Sequence, residues 1–253
     1  MQRGEVCYNH IANLTKVIIP MNYIVLDTEL NGRAWKSTDP MEIISIGAVK
    51  IKEEHIRNKP DTCEMFYEYV KPLYTYTDYA RKFTQIPRQA IAKAESFGRV
   101  IETFKRWIGE EEYVFIGWSE SDKLALIRDC KMHKLEEEWV DRYIDLQAYI
   151  KRYRPEAGHQ QLSLRNAVEL FGLPWIGEEH DALDDAINTA KIFTLLCKDK
   201  PGNLVQEFMR GSTCKVYRKC QKCGVFYYPK SNRIRRAKMC GKCFRETQKA
   251  RTE

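Results

Sequence analysis

No stretch of the chain approaches the ~20 consecutive apolar residues that a membrane-spanning helix needs, so no membrane partner is expected. The first twenty residues hold no charged region followed by an apolar core and a cleavage site, and therefore no secretory signal. Internal repeats and low-complexity tracts are absent as well. What remains is an ordinary globular composition. Apolar residues make up 43% and charged residues 30% of 253 positions, enough for one sizeable domain and a small module. Nine cysteines without a secretory signal point to reduced thiols or metal ligands rather than disulfides, and to a reducing, cytoplasmic setting.

The net charge of +7 conceals an asymmetry. From Gly211 onward thirteen Lys and Arg stand against two Glu, a net +11, which leaves −4 on residues 1–210. An acidic body with a strongly basic tail suggests a polyanionic partner met by the tail.

The body is organised around Asn22-Tyr-Ile-Val-Leu-Asp-Thr-Glu-Leu30. Tyr23 to Leu26 reads as a buried strand that ends in Asp27 and Glu29. Alternate side chains on a strand share a face, so the two carboxylates lie together and Thr28 opposite. Two acids side by side repel and lose hydration, which a divalent cation offsets by taking both as oxygen ligands. The alternative is a strand that ends in solvent with two acids on its turn. Glu42–Lys52 and Glu64–Val70 read as further strands of an antiparallel meander. Helical spacing follows across 86–109, with Phe97, Ile101, Phe104 and Ile108 on one face. Tyr113–Gly117 is a short strand, Asp122 opens a helix, and Arg142–Ile144 is a last strand leading into a helix through Lys151. Further helices are expected at 162–171 and 181–197. Residues 1–20 form an extension without a motif.

Asp122 has two readings, a helix N-cap or a third acid brought to the first pair. In Glu178-Glu-His-Asp-Ala-Leu-Asp-Asp-Ala, Asp181 caps a helix and Asp184 closes a box-like cap with it. Asp185 is left without a capping role. His180 sits before the cap, in the loop, and is either structural or a general base beside an acidic cluster.

Asp27-x-Glu29, Asp122 and His180-x-x-x-x-Asp185, in this order, resemble the DEDDh 3′–5′ exonucleases of the ribonuclease H-like superfamily. Glu42-Ile-Ile-Ser-Ile-Gly-Ala-Val, Phe83-Thr-Gln-Ile86, Tyr143-Ile-Asp-Leu-Gln147 and Leu162-Ser-Leu164 fit the same pattern, which covers 22–197. The histone-mRNA and small-RNA exonuclease type is the most similar branch. The resemblance implies that Asp27, Glu29, Asp122 and Asp185 hold two Mg2+ or Mn2+ ions while His180 deprotonates the attacking water. Leu30 would then wedge against the terminal base. Glu120 departs from the family pattern and is read as a solvated loop acid rather than a ligand.

Cys220-x-x-Cys223 and Cys240-x-x-Cys243 are separated by sixteen residues, a strong signature of a closed, structural Zn2+ site. Metal binding supplies folding energy that so short a segment does not obtain from burial. Between the pairs, Phe226 is read as core, and Arg233, Arg235, Arg236 and Lys238 as phosphate contacts. Cys214 stands nearby as a free thiol or a substitute ligand.

The expected fold is α/β: a ribonuclease H-like mixed sheet flanked by helices, plus a small C-terminal zinc-ribbon module with four cysteine ligands. Residues 1–20 are the extension, 21–200 the exonuclease domain and 211–253 the basic module. The expected activity is 3′–5′ removal of nucleoside 5′-monophosphates from single-stranded RNA or DNA, with RNA favoured. A proofreading-like DNA exonuclease and a non-cutting nucleic-acid adaptor are the alternatives.

Overall fold

β-branched and aromatic residues fill four of the ten positions of Met21–Leu30 and five of the ten of Ile43–Lys52, and both are strands, β1 and β2. A computed structural model describes them within residues 21–32, 41–58, 63–153 and 162–199, together with 218–219, 222, 226–227, 243–244 and 247. β1 and β2 pair antiparallel, as do β2 and β3 (Glu64–Lys71), which is the expected meander. A two-residue strand, β4 (Glu95–Ser96), flanks β3. On its other side β1 pairs parallel with β5 (Glu112–Gly117), and β5 with β6 (Tyr143–Asp145). The order β4-β3-β2-β1-β5-β6 makes one mixed sheet.

Helices α1 (Glu53–Asn58), α2 (Asp78–Thr84), α3 (Arg88–Lys93) and α4 (Phe97–Ile108) precede β5. α5 (Ser121–Met132), α6 (Leu146–Tyr153), α7 (Leu164–Leu170) and α8 (Ala182–Asp199) follow it. Alternation along β1 decides the layers. Tyr23 and Val25 face Ile150 of α6, Val168 of α7 and Phe193 of α8. Ile24 and Leu26 face Phe104 of α4 and Leu126 of α5. Phe97, Ile101, Phe104 and Ile108 are all buried, so the face read from their spacing is the packed one. Each contributes roughly 1.5–3 kcal/mol through burial.

Three departures matter. The helical spacing across 86–109 is two helices, because Glu95 and Ser96 leave helical geometry to pair with Val70 and Lys71. The short helices α1 and α2 carry too few core positions to show a period. The last strand is shifted one residue, to Tyr143–Asp145, and the carboxylate of Asp145 accepts the Ala148 N–H at the start of α6.

In the tail, β7 (Arg218–Lys219) and β8 (Phe226–Tyr227) pair antiparallel, and Cys243 is buried. Cys220, Cys223, Cys240, Cys214, Arg233, Arg235, Arg236 and Lys238 lie outside the described residues, as do residues 1–20. Among the described residues no helix is long and apolar enough to cross a membrane.

Candidate active site

β1 carries Asp27 and Glu29 past the point where its parallel partner ends. Pairing with β5 runs only to Val25 opposite Ile116, whereas pairing with β2 continues to Glu29 opposite Ser45. The Thr28 N–H therefore has no strand partner on the β5 side, and the Asp122 carboxylate takes it. Oδ1 of Asp122 accepts the Thr28 amide at 3.0 Å and the Thr28 hydroxyl at 2.8 Å. This corrects the capping alternative. Asp122 lies inside the first turn of α5, Glu120 holds the N-cap position without a side-chain cap bond, and Asp122 bridges to β1 instead. Glu120 does not line the cavity described below.

The turn that delivers Asp122 is shaped by Gly117. A Cβ there would lie 1.7 Å from the Tyr143 hydroxyl, which instead donates to the Ser119 carbonyl at 2.6 Å.

The second chain crossing comes from α8. Oδ1 of Asp181 caps it, accepting from Leu183 and Asp184 N–H at 3.0 and 3.1 Å, as expected. Asp184 does not close a box with it; Oδ2 accepts the Glu178 N–H at 2.8 Å and fixes the preceding loop. Asp184 also fills the space beside Gly177, whose φ of +71° suits glycine. On β2, a Cβ at Gly47 would lie 2.2 Å from the Ala182 carbonyl carbon and the Leu183 nitrogen. The bare backbone of Gly47 thus admits the α8 N-terminus onto the sheet and brings Asp185 to β1. One ligand atom each from Glu29, His180 and Asp185 fall within 4.8 Å of one another.

Asp27, Glu29, Asp122, Asp185 and His180 line one cavity of about 310 Å³. Its lining also includes the apolar side chains of Leu30, Met41, Tyr79 and Phe83. Tyr79 and Phe83 stand one helical turn apart on α2 with ring planes 6° apart, and Phe83 lies against the His180 imidazole at 4.0 Å. All five residues expected at the chemical centre are therefore brought together, and Leu30 borders them. Sequence reasoning gives Thr28, Met41 and Tyr79 no role in the site, and Gly47 and Phe83 enter it only as parts of stretches that fit the family pattern. The signal for the aromatic pair was present: two large rings spaced i, i+4, with no core face to serve.

Electrostatically the cavity is unbalanced. None of the residues lining it is Lys or Arg. Burial, then the charges of Asp122, Glu29 and Asp185, hold Asp27 well above the usual carboxylate range. Burial, then Asp185 and Asp122, raise Glu29 to about 9. Asp185 rises to about 7, chiefly by burial, against a lowering hydrogen bond from the His180 backbone. Burial lifts Asp122 to about 6, with the Thr28 hydroxyl and amide pulling it back. Oδ1 of Asp185 is buried without a hydrogen-bond partner among the described residues. Four crowded carboxylates, no internal cation and an unpartnered buried oxygen fit a hard divalent cation, which takes oxygen ligands.

The exonuclease family model of the RNase T type matches residues 24–193, from β1 into α8. The 3′–5′ exonuclease crn-4 of Caenorhabditis elegans is 29% identical over 182 residues, covering 67% of this chain. The chain spans 60% of that relative's length. The crystal structure of crn-4 superposes with a TM-score of 0.61 at 26% identity, over 70% of this chain and 64% of that one. ERI1 exoribonuclease 2 of Danio rerio is 26% identical over 222 residues, which is 78% of this chain and 37% of that relative. The nuclease domain of 3′hExo, a DEDDh family member bound to rAMP, has the same fold, with a TM-score of 0.62 at 20% identity over 73% of this chain and 94% of that one. Members of the DEDDh type use divalent metal ions, in accord with the carboxylate cluster. With its ribonuclease H-like mixed sheet and the family match running through every acid of the cluster, the chain belongs to the exonuclease family.

Proposed function

We propose that this protein is a metal-dependent 3′–5′ exonuclease that releases nucleoside 5′-monophosphates from single-stranded ends, RNA in preference to DNA. The observation that carries the reading is one cavity whose lining combines four carboxylates and His180 with the aromatic and aliphatic side chains of Leu30, Met41, Tyr79 and Phe83. When bound, two Mg2+ or Mn2+ ions held by Asp27, Glu29, Asp122 and Asp185 supply Lewis acidity at phosphorus and lower the pKa of a water. The protein's own groups do the rest. His180 takes the proton of the attacking water at a ring nitrogen, and the Phe83 ring restricts the plane in which it swings. Leu30, Met41, Tyr79 and Phe83 hold the terminal base by apolar contact and stacking. A volume of about 310 Å³ is at the small end of ligand sites and suits one unpaired nucleotide rather than a base pair. The exoribonuclease among the relatives and the rAMP bound to 3′hExo support RNA as the favoured substrate.

The same proposal covers the tail. Cys220, Cys223, Cys240 and Cys243 hold one structural Zn2+, a reading supported by the antiparallel β7–β8 pair beside the first two cysteines. Arg233, Arg235, Arg236 and Lys238 then track substrate phosphates. On this reading 1–20 is an extension, 21–200 the catalytic domain and 211–253 the binding module, in a cytoplasmic enzyme with reduced thiols.

The test is a time course on matched 5′-labelled single-stranded RNA and DNA, with Mn2+ and without divalent cation. The expected result is a metal-dependent ladder that shortens from the 3′ end, faster on RNA and abolished by Asp27→Ala. Undiminished cleavage by that variant overturns the assignment. Binding without a ladder in any metal turns it into the adaptor reading.

A further inference from the structure

We propose that Tyr67, two strands away from the acids, is a positioning residue for His180. The proposal rests on the exonuclease reading above, with His180 as the base. Asp27, Gly47 and Tyr67 lie opposite one another on β1, β2 and β3 and so share a sheet face. Gly47 contributes no side chain between the outer two, and the first residues of α8 occupy that space. The Tyr67 hydroxyl thereby meets the loop entering α8, donating to Oδ2 of Asp181 at 2.6 Å. The Tyr69 hydroxyl, on the neighbouring row with Ser45 and Glu29, stands 3.2 Å from it.

Asp181 is thus divided between two bodies. Oδ1 holds Leu183 and Asp184 N–H at the start of the helix, while Oδ2 is held by the sheet. His180 is the residue before it. Its backbone φ is +66°, a left-handed conformation that a non-glycine residue keeps only where its surroundings impose it. On the far side the loop is fastened to α8. The Asn188 side chain holds both the N–H and the carbonyl of Ile176, and Asp184 holds the Glu178 N–H. Glu179 and His180 lie between an anchor on α8 at 176–178 and Asp181, and their own holds also run to helices, Glu179 to Arg165 of α7 at 3.1 Å and the His180 backbone to the Asp185 carboxylate of α8, whereas the Tyr67 hydroxyl ties Asp181 to the sheet bearing Asp27 and Glu29. Phe83 of α2 contacts the imidazole itself, with ring centroids 4.0 Å apart. Burial and the Asp181 carboxylate push the Tyr67 phenol far above its ordinary range, so it remains a donor wherever the enzyme works.

Loss of the hydroxyl lets the base drift from the water it must deprotonate without altering the nucleotide wall or the carboxylates. Tyr67→Phe is expected to lower kcat about tenfold, a fraction of the 10²–10⁴ that a general base contributes. KM stays within about twofold, and Mn2+ binding by calorimetry is unchanged. Asp181→Ser, which keeps a capping oxygen but is too short to reach the Tyr67 hydroxyl, should give the same split and serves if Tyr67→Phe folds poorly. The deciding experiment is a double-mutant cycle with His180→Ala. Once the imidazole is gone, Tyr67→Phe should have no further effect on the residual kcat. An equal tenfold loss in that background, a wild-type kcat in the single variant, or a change confined to KM each overturns the positioning role. A His180→Ala enzyme with undiminished kcat overturns the base assignment and this proposal with it. A wild-type protein without cleavage overturns the exonuclease reading itself.

Discussion

Glu29→Gln should make the metal-free protein more stable while destroying its activity. An unfolded glutamate releases its proton near 4.5, whereas burial and neighbouring acids raise Glu29 to about 9 in the folded chain. Between those values the folded state binds more protons than the unfolded state, so stability falls as pH rises, by about 1.4 kcal/mol per unit. At pH 7, about two and a half units above the lower value, the penalty on the folded state is about 3 kcal/mol. Glutamine keeps the shape and never ionises, so the penalty is removed. For a chain of this size that corresponds to a rise in Tm of roughly 6–10 °C. The assay is thermal unfolding in buffer without divalent cation at pH 5, 7 and 8. The advantage of the variant should be under about 1 kcal/mol at pH 5 and grow with pH. With Mn2+ at 100 times its Kd the wild type gains about 2.7 kcal/mol by linkage and the variant gains less, so their Tm difference narrows or reverses. A variant no more stable than wild type at pH 7, or equally advantaged at pH 5 and 8, refutes the reasoning.

Four further outcomes are expected. Thr28→Val removes one of two donors that fix Asp122 and should weaken Mn2+ binding about tenfold by calorimetry, with Thr28→Ser near wild type, since hydrogen bonds to charged groups contribute about 1.5–3 kcal/mol. Gly47→Ala drives a methyl into the backbone of α8, so chemical denaturation should show a loss of about 1–3 kcal/mol or more, accompanied by a fall in kcat. Phe83→Ala should weaken binding of a single-stranded oligonucleotide by about 1–3 kcal/mol through lost stacking, read as a raised KM. Neutralising Arg233, Arg235 and Arg236 together should raise KM and flatten the salt dependence of binding by about two units in log–log slope, with kcat retained. A collapsed kcat at unchanged KM would contradict that role.

Much of the candidate site is legible in the sequence because it is written in local spacing. Asp27 and Glu29 share a face by strand alternation, and the capping role of Asp181 leaves His180 in the loop and Asp185 on the helix. What escaped depends on partners distant in the chain. Asp122 looks like a cap until the early end of β5 leaves the Thr28 amide unpaired, 94 residues away. The Tyr67 hydroxyl finds Asp181 across 114 residues, and no periodicity of either segment encodes that meeting. α2 was invisible for another reason. Its seven residues spend Tyr79 and Phe83 on the cavity rather than the core, so the hydrophobic period that marks a packed helix is missing.

The close seat of α8 on Gly47 also makes completion of the site depend on the last helix of the domain. Asp27 and Glu29 on β1 and Asp122 on α5 all precede residue 180 in the chain. Only the final helix of the domain, lowered onto a strand that has left room for it, adds Asp185 and brings His180 alongside. A chain that stops short of residue 180 lacks both Asp185 and His180. On the exonuclease reading proposed above, competence to cut therefore depends on α8 being seated on β2.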